Sequence, residues 1–211
     1  MAAAAPWPLL MVTIRWGSVG TLLVTALAIM GSPGPATVSL TAAASAFGAR
    51  RCLGYMIGII VGTMIVLVAV AAGITATVLA VPGVRAVLIA VSAAYILWLA
   101  YHVATAPPPS ARTAAAAPPS LVGGTVLGVA NPKAWVAITA VFASARLANT
   151  AMVDAAAKVA VLAAMAVLIM VAWLISGASF ARLLRDPARA RIVNSALAAA
   201  LVGATAYAIL R

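Results

Sequence analysis

The 211 residues are 66% hydrophobic and 7% charged, against about 25% charged residues in soluble domains. So few charges cannot cover a soluble surface, and the composition implies an integral membrane protein built as one helical bundle. Net charge is +11, with Asp154 and Asp186 the only carboxylates; the basic residues sit between apolar runs, which fits anionic lipid and topology rather than nucleic acid.

The N-terminal stretch, residues 1–14, is apolar without a basic start, and Arg15 follows it. A cleaved signal peptide has the reverse order. The stretch reads as an interfacial tail or as an over-long start with Met11 the true initiator, so residues 1–10 stay open. The 34 residues between Arg15 and Arg50 carry no charge, where about 20 suffice to cross the hydrocarbon. A similar run lies between Arg51 and Arg85, and a third covers Val87 to Thr105. The proline-rich linker 106–120 cannot continue a helix. Leu121 to Ala145 follows, interrupted only by Lys133, then Val159 to Ser179 and Ile192 to Leu210.

The expected fold is therefore all-α and polytopic. Its single membrane domain has six spans, three in residues 1–105 and three in 121–211. Loops one, three and five would carry Arg50, Arg51, Arg112, Arg182, Arg185, Arg189 and Arg191. That bias places them in the cytoplasm and both termini outside. Cys52 stands alone, which excludes an internal disulfide.

The first and fourth spans are each broken near their middle. Gly31-Ser32-Pro33-Gly34-Pro35 interrupts one and Ala130-Asn131-Pro132-Lys133 the other. Proline within a helix removes a donor and clashes with the carbonyl four residues back. With three spans per half, the second half enters from the opposite side, so the expected plan is two inverted three-helix repeats with paired broken helices, a transporter signature. Pro33 and Pro35 free the carbonyls of Ile29 and Gly31; Pro132 frees that of Gly128. Carbonyls at such breaks favour an ammonium, and the N–H groups beyond each proline favour an anion. An amino acid carries both charges. The expected substrate-binding set is Ile29, Gly31, Ser32, Pro33, Gly34, Pro35, Thr37, Gly128, Asn131, Pro132 and Lys133.

Lys133 at mid-span costs roughly 2.5–3.5 kcal/mol. It either snorkels or faces a cavity to meet a substrate carboxylate, with Asn131 capping the half-helix. Thr37, Ser39 and Thr41 contact substrate or bond back to their own helix. Gly54, Gly58 and Gly62 lie four apart on one stripe, for close packing within the protomer or between protomers of a homo-oligomer. Asp154 and Lys158 read as a surface i,i+4 pair. Trp98, Tyr101 and His102 read as an interfacial belt. One histidine, one cysteine and two aspartates supply no nucleophile–base or metal constellation. Neither catalytic residues, cofactor nor metal site is expected, and the alternative to an exporter is a six-helix cation or metal transporter or channel.

Ser32-Pro33-Gly34-Pro35, then Gly48-Ala49-Arg50-Arg51, the glycines Gly54, Gly58 and Gly62, and Asn131-Pro132-Lys133 resemble the LysE-type translocators, the lysine and homoserine/threonine exporters. Ala94-Tyr95, Trp173 and Gly203 also fit in order, and the likeness runs from Gly20 to Leu210. The resemblance implies a bacterial inner-membrane exporter of amino acids or derivatives, driven by the proton gradient. Members of that family often carry an aspartate after the last glycine of the span-two stripe and another three residues before the span-five tryptophan. This chain has Thr63 and Met170 there. A site without carboxylates is a poorer place for a second positive charge, so neutral amino acids are favoured over cationic ones.

Overall fold

The computed structural model describes residues 14–75, 80–81, 83–105, 117–183, 191–192, 195–200, 202–203 and 206. These residues are almost wholly helical, apart from turns, the connecting segments and one isolated bridge between Ile14 and Ala148. In chain order the helices are α1 (Trp16–Met30), α2 (Pro35–Phe47), a 3-10 turn (Arg50–Cys52), α3 (Leu53–Ala71), α4 (Val84–Ala104), α5 (Leu121–Ala130), α6 (Pro132–Ala143) and α7 (Ala151–Leu183).

Among the described residues, three stretches are long and apolar enough to cross a membrane: Arg50–Ala71, Ala86–Ala104 and Ala151–Ser179. The pairs α1/α2 and α5/α6 bring the number to five if each is one broken span; they bend by 63° and 58°. Both bends fall where the prolines require them. The residue before a proline is pushed out of the helical region, and Gly34 and Asn131 are both extended. Pro35 and Pro132 then stand first in α2 and α6, where a missing N–H costs nothing. Of the expected sixth span, residues 192, 195–200, 202–203 and 206 are described and helical, whereas linker residues 106–116, with Arg112, and Arg185, Arg189 and Arg211 lie outside the described residues.

Helix α2 is the buried centre. Twelve of its thirteen residues are buried, Val38 being the partial exception. Two of its hydroxyls return to the helix backbone: Ser39 Oγ donates to Ala36 O at 2.9 Å and Thr41 Oγ1 to Thr37 O at 2.9 Å. It packs chiefly on α7, where Gly177 makes the approach: a Cβ there would lie 2.9 Å from the Ala44 Cβ. The turn after α2 uses Gly48 at φ 87°, in a region that side chains rarely adopt.

The most extensive helix pairing is α3 against α5, and it is a glycine seam. A Cβ on Gly62 would sit 2.5 Å from the Thr125 carbonyl oxygen and 2.8 Å from Gly128 Cα. Gly58 meets the Leu121 and Thr125 backbone in the same way, and Gly124 and Gly128 answer from α5. Of the expected stripe, Gly54 takes no part: nothing lies within 4 Å of where its Cβ would be. Helix α3 also packs on α6, while α7 packs on α1 and α2. The long second helix of each half thus lies against the broken pair of the other half.

Candidate functional site

Each break frees backbone carbonyls, and in an apolar setting each needs a donor. At the first break Ser32 Oγ donates to Ile29 O at 2.8 Å, and Trp173 Nε1 on α7 donates to Gly31 O at 3.2 Å. At the second, Trp135 Nε1 donates to Val129 O at 2.8 Å and Ser92 Oγ on α4 to Ala130 O at 2.7 Å. Asn131 caps α6, its Oδ1 accepting from Lys133 N at 3.1 Å. Thr37 Oγ1 accepts from Gly34 N at 2.9 Å and donates to Gly34 O at 3.1 Å, so it ties the first break to the start of α2.

Lys133 joins the two breaks. Its ammonium donates to Ser32 O, to Ser32 Oγ at 2.8 Å and to Pro33 O at 3.1 Å. An ammonium has three N–H groups, and all three are engaged. The side chain therefore neither snorkels nor stands free. It pays its insertion cost with charge-assisted bonds to carbonyls that the first break exposes. Gly34 provides the passage: a Cβ on it would lie 2.5 Å from Lys133 Cδ and 3.0 Å from Nζ. Its φ of −169° is extended backbone open to any residue, so space is what requires glycine here.

Between the breaks lies a cavity of about 460 Å³, open mouth included. Its polar wall is Gly34, Thr37, Thr63, Asn131 and Lys133, and the rest is Met, Ala and Ile from α1, α2, α6 and α7. Among the described residues that line it, Lys133 is the one charged group and none is a carboxylate. The first turns of α2 and α6 both reach it, through Ala36 and Thr37 and through Lys133 and Ala134. Helix N-terminal ends carry partial positive charge, so the cavity is electropositive from three sources. Thr63 and Met170 line it too.

The structure thus brings together Gly34, Thr37, Asn131 and Lys133 at the cavity, with Ser32 and Pro33 behind Lys133 as its acceptors. Ile29 and Gly31 stand one step back, their carbonyls already holding Ser32 and Trp173 donors. Gly128 lies in the α3–α5 seam, where a Cβ would be 2.7 Å from the Ile59 carbonyl oxygen and 2.9 Å from Gly62 Cα. Ser92, Trp135 and Trp173 serve the breaks without having been singled out as donors from sequence; the available signal was a hydroxyl or indole N–H inside an apolar run, which must find an acceptor when buried.

Away from the cavity, Asp154 and Lys158 pair at 2.8 Å, with side chains only 13% and 7% exposed. The expected surface pair is in fact enclosed. Asp154 Oδ1 also accepts from Leu147 N and Ala148 N, and Lys158 lies over the Phe142 ring at 4.9 Å. The pair organises the turn between α6 and α7, against which residue 14 forms its bridge. Trp98 and Tyr101 are exposed on α4, and His102 lies against Trp98 with ring centroids 4.2 Å apart and planes tilted by 40°. Among the described residues no group of three His, Cys, Asp or Glu side chains is placed to hold a metal ion.

Three to five apolar stretches long enough to span a membrane, with two breaks that meet at a cavity, fit a multi-pass membrane protein. The family model described as LysE type translocator matches residues 26–211, and the chain belongs to that family. It is a family of transporters, not of enzymes. No curated protein and no solved structure gives a match to the chain.

Proposed function

We propose that the chain is a bacterial inner-membrane secondary transporter that exports amino acids or their derivatives by alternating access, with neutral substrates preferred to cationic ones. The observation that carries this reading is the meeting of the two breaks across Lys133, at a cavity whose described lining carries one charge, and that positive. The first turns of α2 and α6, with Thr37, Asn131 and Lys133, hold the substrate carboxylate; Met30, Ile169 and Met170 face its apolar part. A second cationic group on the substrate has no carboxylate to meet there, which also counts against the metal or cation channel alternative. The cross-packing of α3 on α5/α6 and of α7 on α1/α2 is the pairing expected of two inverted repeats that rock about a shared site. On that plan the arginine-rich odd-numbered loops are cytoplasmic and both termini periplasmic.

The test is efflux of labelled amino acids and derivatives from cells with and without the protein, with Pro35→Ala and Lys133→Ala as controls. The reading expects faster efflux for at least one compound and slower efflux of that compound in both variants. No accelerated compound would overturn it.

A further inference from the structure

The cavity has a seat for a cation, and the protein fills it itself. At the first break Ser32 O, Ser32 Oγ and Pro33 O form an acceptor cluster of the kind that binds an alkylammonium, and Lys133 Nζ occupies it with all three of its N–H groups. The neighbouring freed carbonyls are committed too, Ile29 O to Ser32 and Gly31 O to Trp173. The hydroxyls of Thr37 and Thr63 are tied to Gly34 and to Ile59 O. A substrate ammonium entering here would face an ammonium, two helix N-terminal ends and apolar walls, without a carboxylate among the lining residues. A substrate carboxylate meets the opposite: positive charge from three sides.

We propose that the cavity selects a monocarboxylate with an apolar body and no free ammonium, such as an N-acylated amino acid or its 2-hydroxy acid analogue, over the parent zwitterion. This inference rests on the export reading above and narrows its substrate class. The physical cause is asymmetric. The derivative and the zwitterion present the same carboxylate and side chain; the derivative adds only a neutral amide or hydroxyl, whereas the zwitterion brings an ammonium that meets only neutral acceptors, Thr63 Oγ1 and Asn131 Oδ1, beside the Lys133 ammonium, or must displace Lys133 from its three bonds.

The test uses the full chain in proteoliposomes at neutral pH, with protein-free vesicles as the blank. Four probes share one side chain: leucine, N-acetyl-leucine, 2-hydroxy-4-methylpentanoate and leucinamide. N-acetyl-leucine and the hydroxy acid are expected to leave at least about tenfold faster than leucine, the factor that corresponds to one poorly met polar group. Leucinamide is expected to leave no faster than from the blank. Leucine moving as fast as the two acids, or leucinamide moving at all above the blank, overturns this inference and leaves the export reading standing. If none of the four, and no compound of the wider efflux panel, moves above the blank, both fall. Lys133→Met supplies a second readout: with the acceptor cluster vacated, the ratio of N-acetyl-leucine to leucine transport should shrink towards one. An unchanged ratio in a folded, transporting Lys133→Met protein would show that Lys133 does not set the discrimination.

Discussion

Gly34→Ala tests the junction between the breaks with a single methyl group. The backbone at Gly34 is extended, φ −169° and ψ 179°, so alanine introduces no conformational strain there. What it introduces is a Cβ 2.5 Å from Lys133 Cδ and 3.0 Å from Nζ, where ordinary contact begins at 3.4 Å. Lys133 must retreat by about 1 Å, which carries its 2.8 Å and 3.1 Å bonds beyond hydrogen-bonding range. Hydrogen bonds to a charged group are worth about 1.5–3 kcal/mol each. Water in the open cavity recovers part of that, leaving a cost of about 1–3 kcal/mol. The reduced entropy of the unfolded chain returns about 0.4–1 kcal/mol, for a net loss of about 1–2 kcal/mol. Denaturant unfolding of the purified protein in detergent measures it, and a double-mutant cycle isolates the cause. In a Lys133→Ala background there is nothing left to displace, so Gly34→Ala should become neutral or slightly stabilising. A coupling energy below about 0.5 kcal/mol, the same cost in both backgrounds, would refute the account.

Gly62→Ala and Gly54→Ala should differ in sign. The first drives a Cβ against the α5 backbone and should destabilise by about 1–3 kcal/mol, while the second opens onto free space and should gain up to about 1 kcal/mol of helix propensity; thermal unfolding of both in one detergent decides. Trp173→Phe keeps the ring and deletes the donor to Gly31 O, so a loss of about 1–3 kcal/mol is expected for the orphaned carbonyl, and a variant as stable as the parent would mean water takes the indole's place. Asn131→Ala removes the α6 cap at about 1 kcal/mol and, by misorienting Lys133, should lower efflux more than stability alone explains. Asp154→Ala removes the carboxylate that accepts from Leu147 N, Ala148 N and Lys158, at about 1–3 kcal/mol; since the pair stands apart from the cavity, protein that does fold should keep the parent's substrate preference in the proteoliposome assay.

Much of this protein is legible in one dimension because lipid is a demanding solvent. Apolar runs of about twenty residues, charges confined to their ends and prolines at Pro33, Pro35 and Pro132 set where helices start, stop and break, since each rule acts on local backbone. The same local chemistry let Asn131 be read as a cap and Pro35 and Pro132 as first helical residues. Partnership over a hundred residues apart was a different matter. Gly54, Gly58 and Gly62 are equally small in sequence, yet only the last two face α5, because α5 begins at Leu121, opposite Gly58, and Gly54 lies a helical turn beyond that end. Asp154 and Lys158 have the spacing of a surface pair whether or not the α6–α7 turn closes over them. Lys133 could have snorkelled or stood free in the cavity. Its ammonium lies among the Ser32 and Pro33 oxygens because the two breaks are folded together, and only that tertiary contact turns two helix faults into one electropositive cavity.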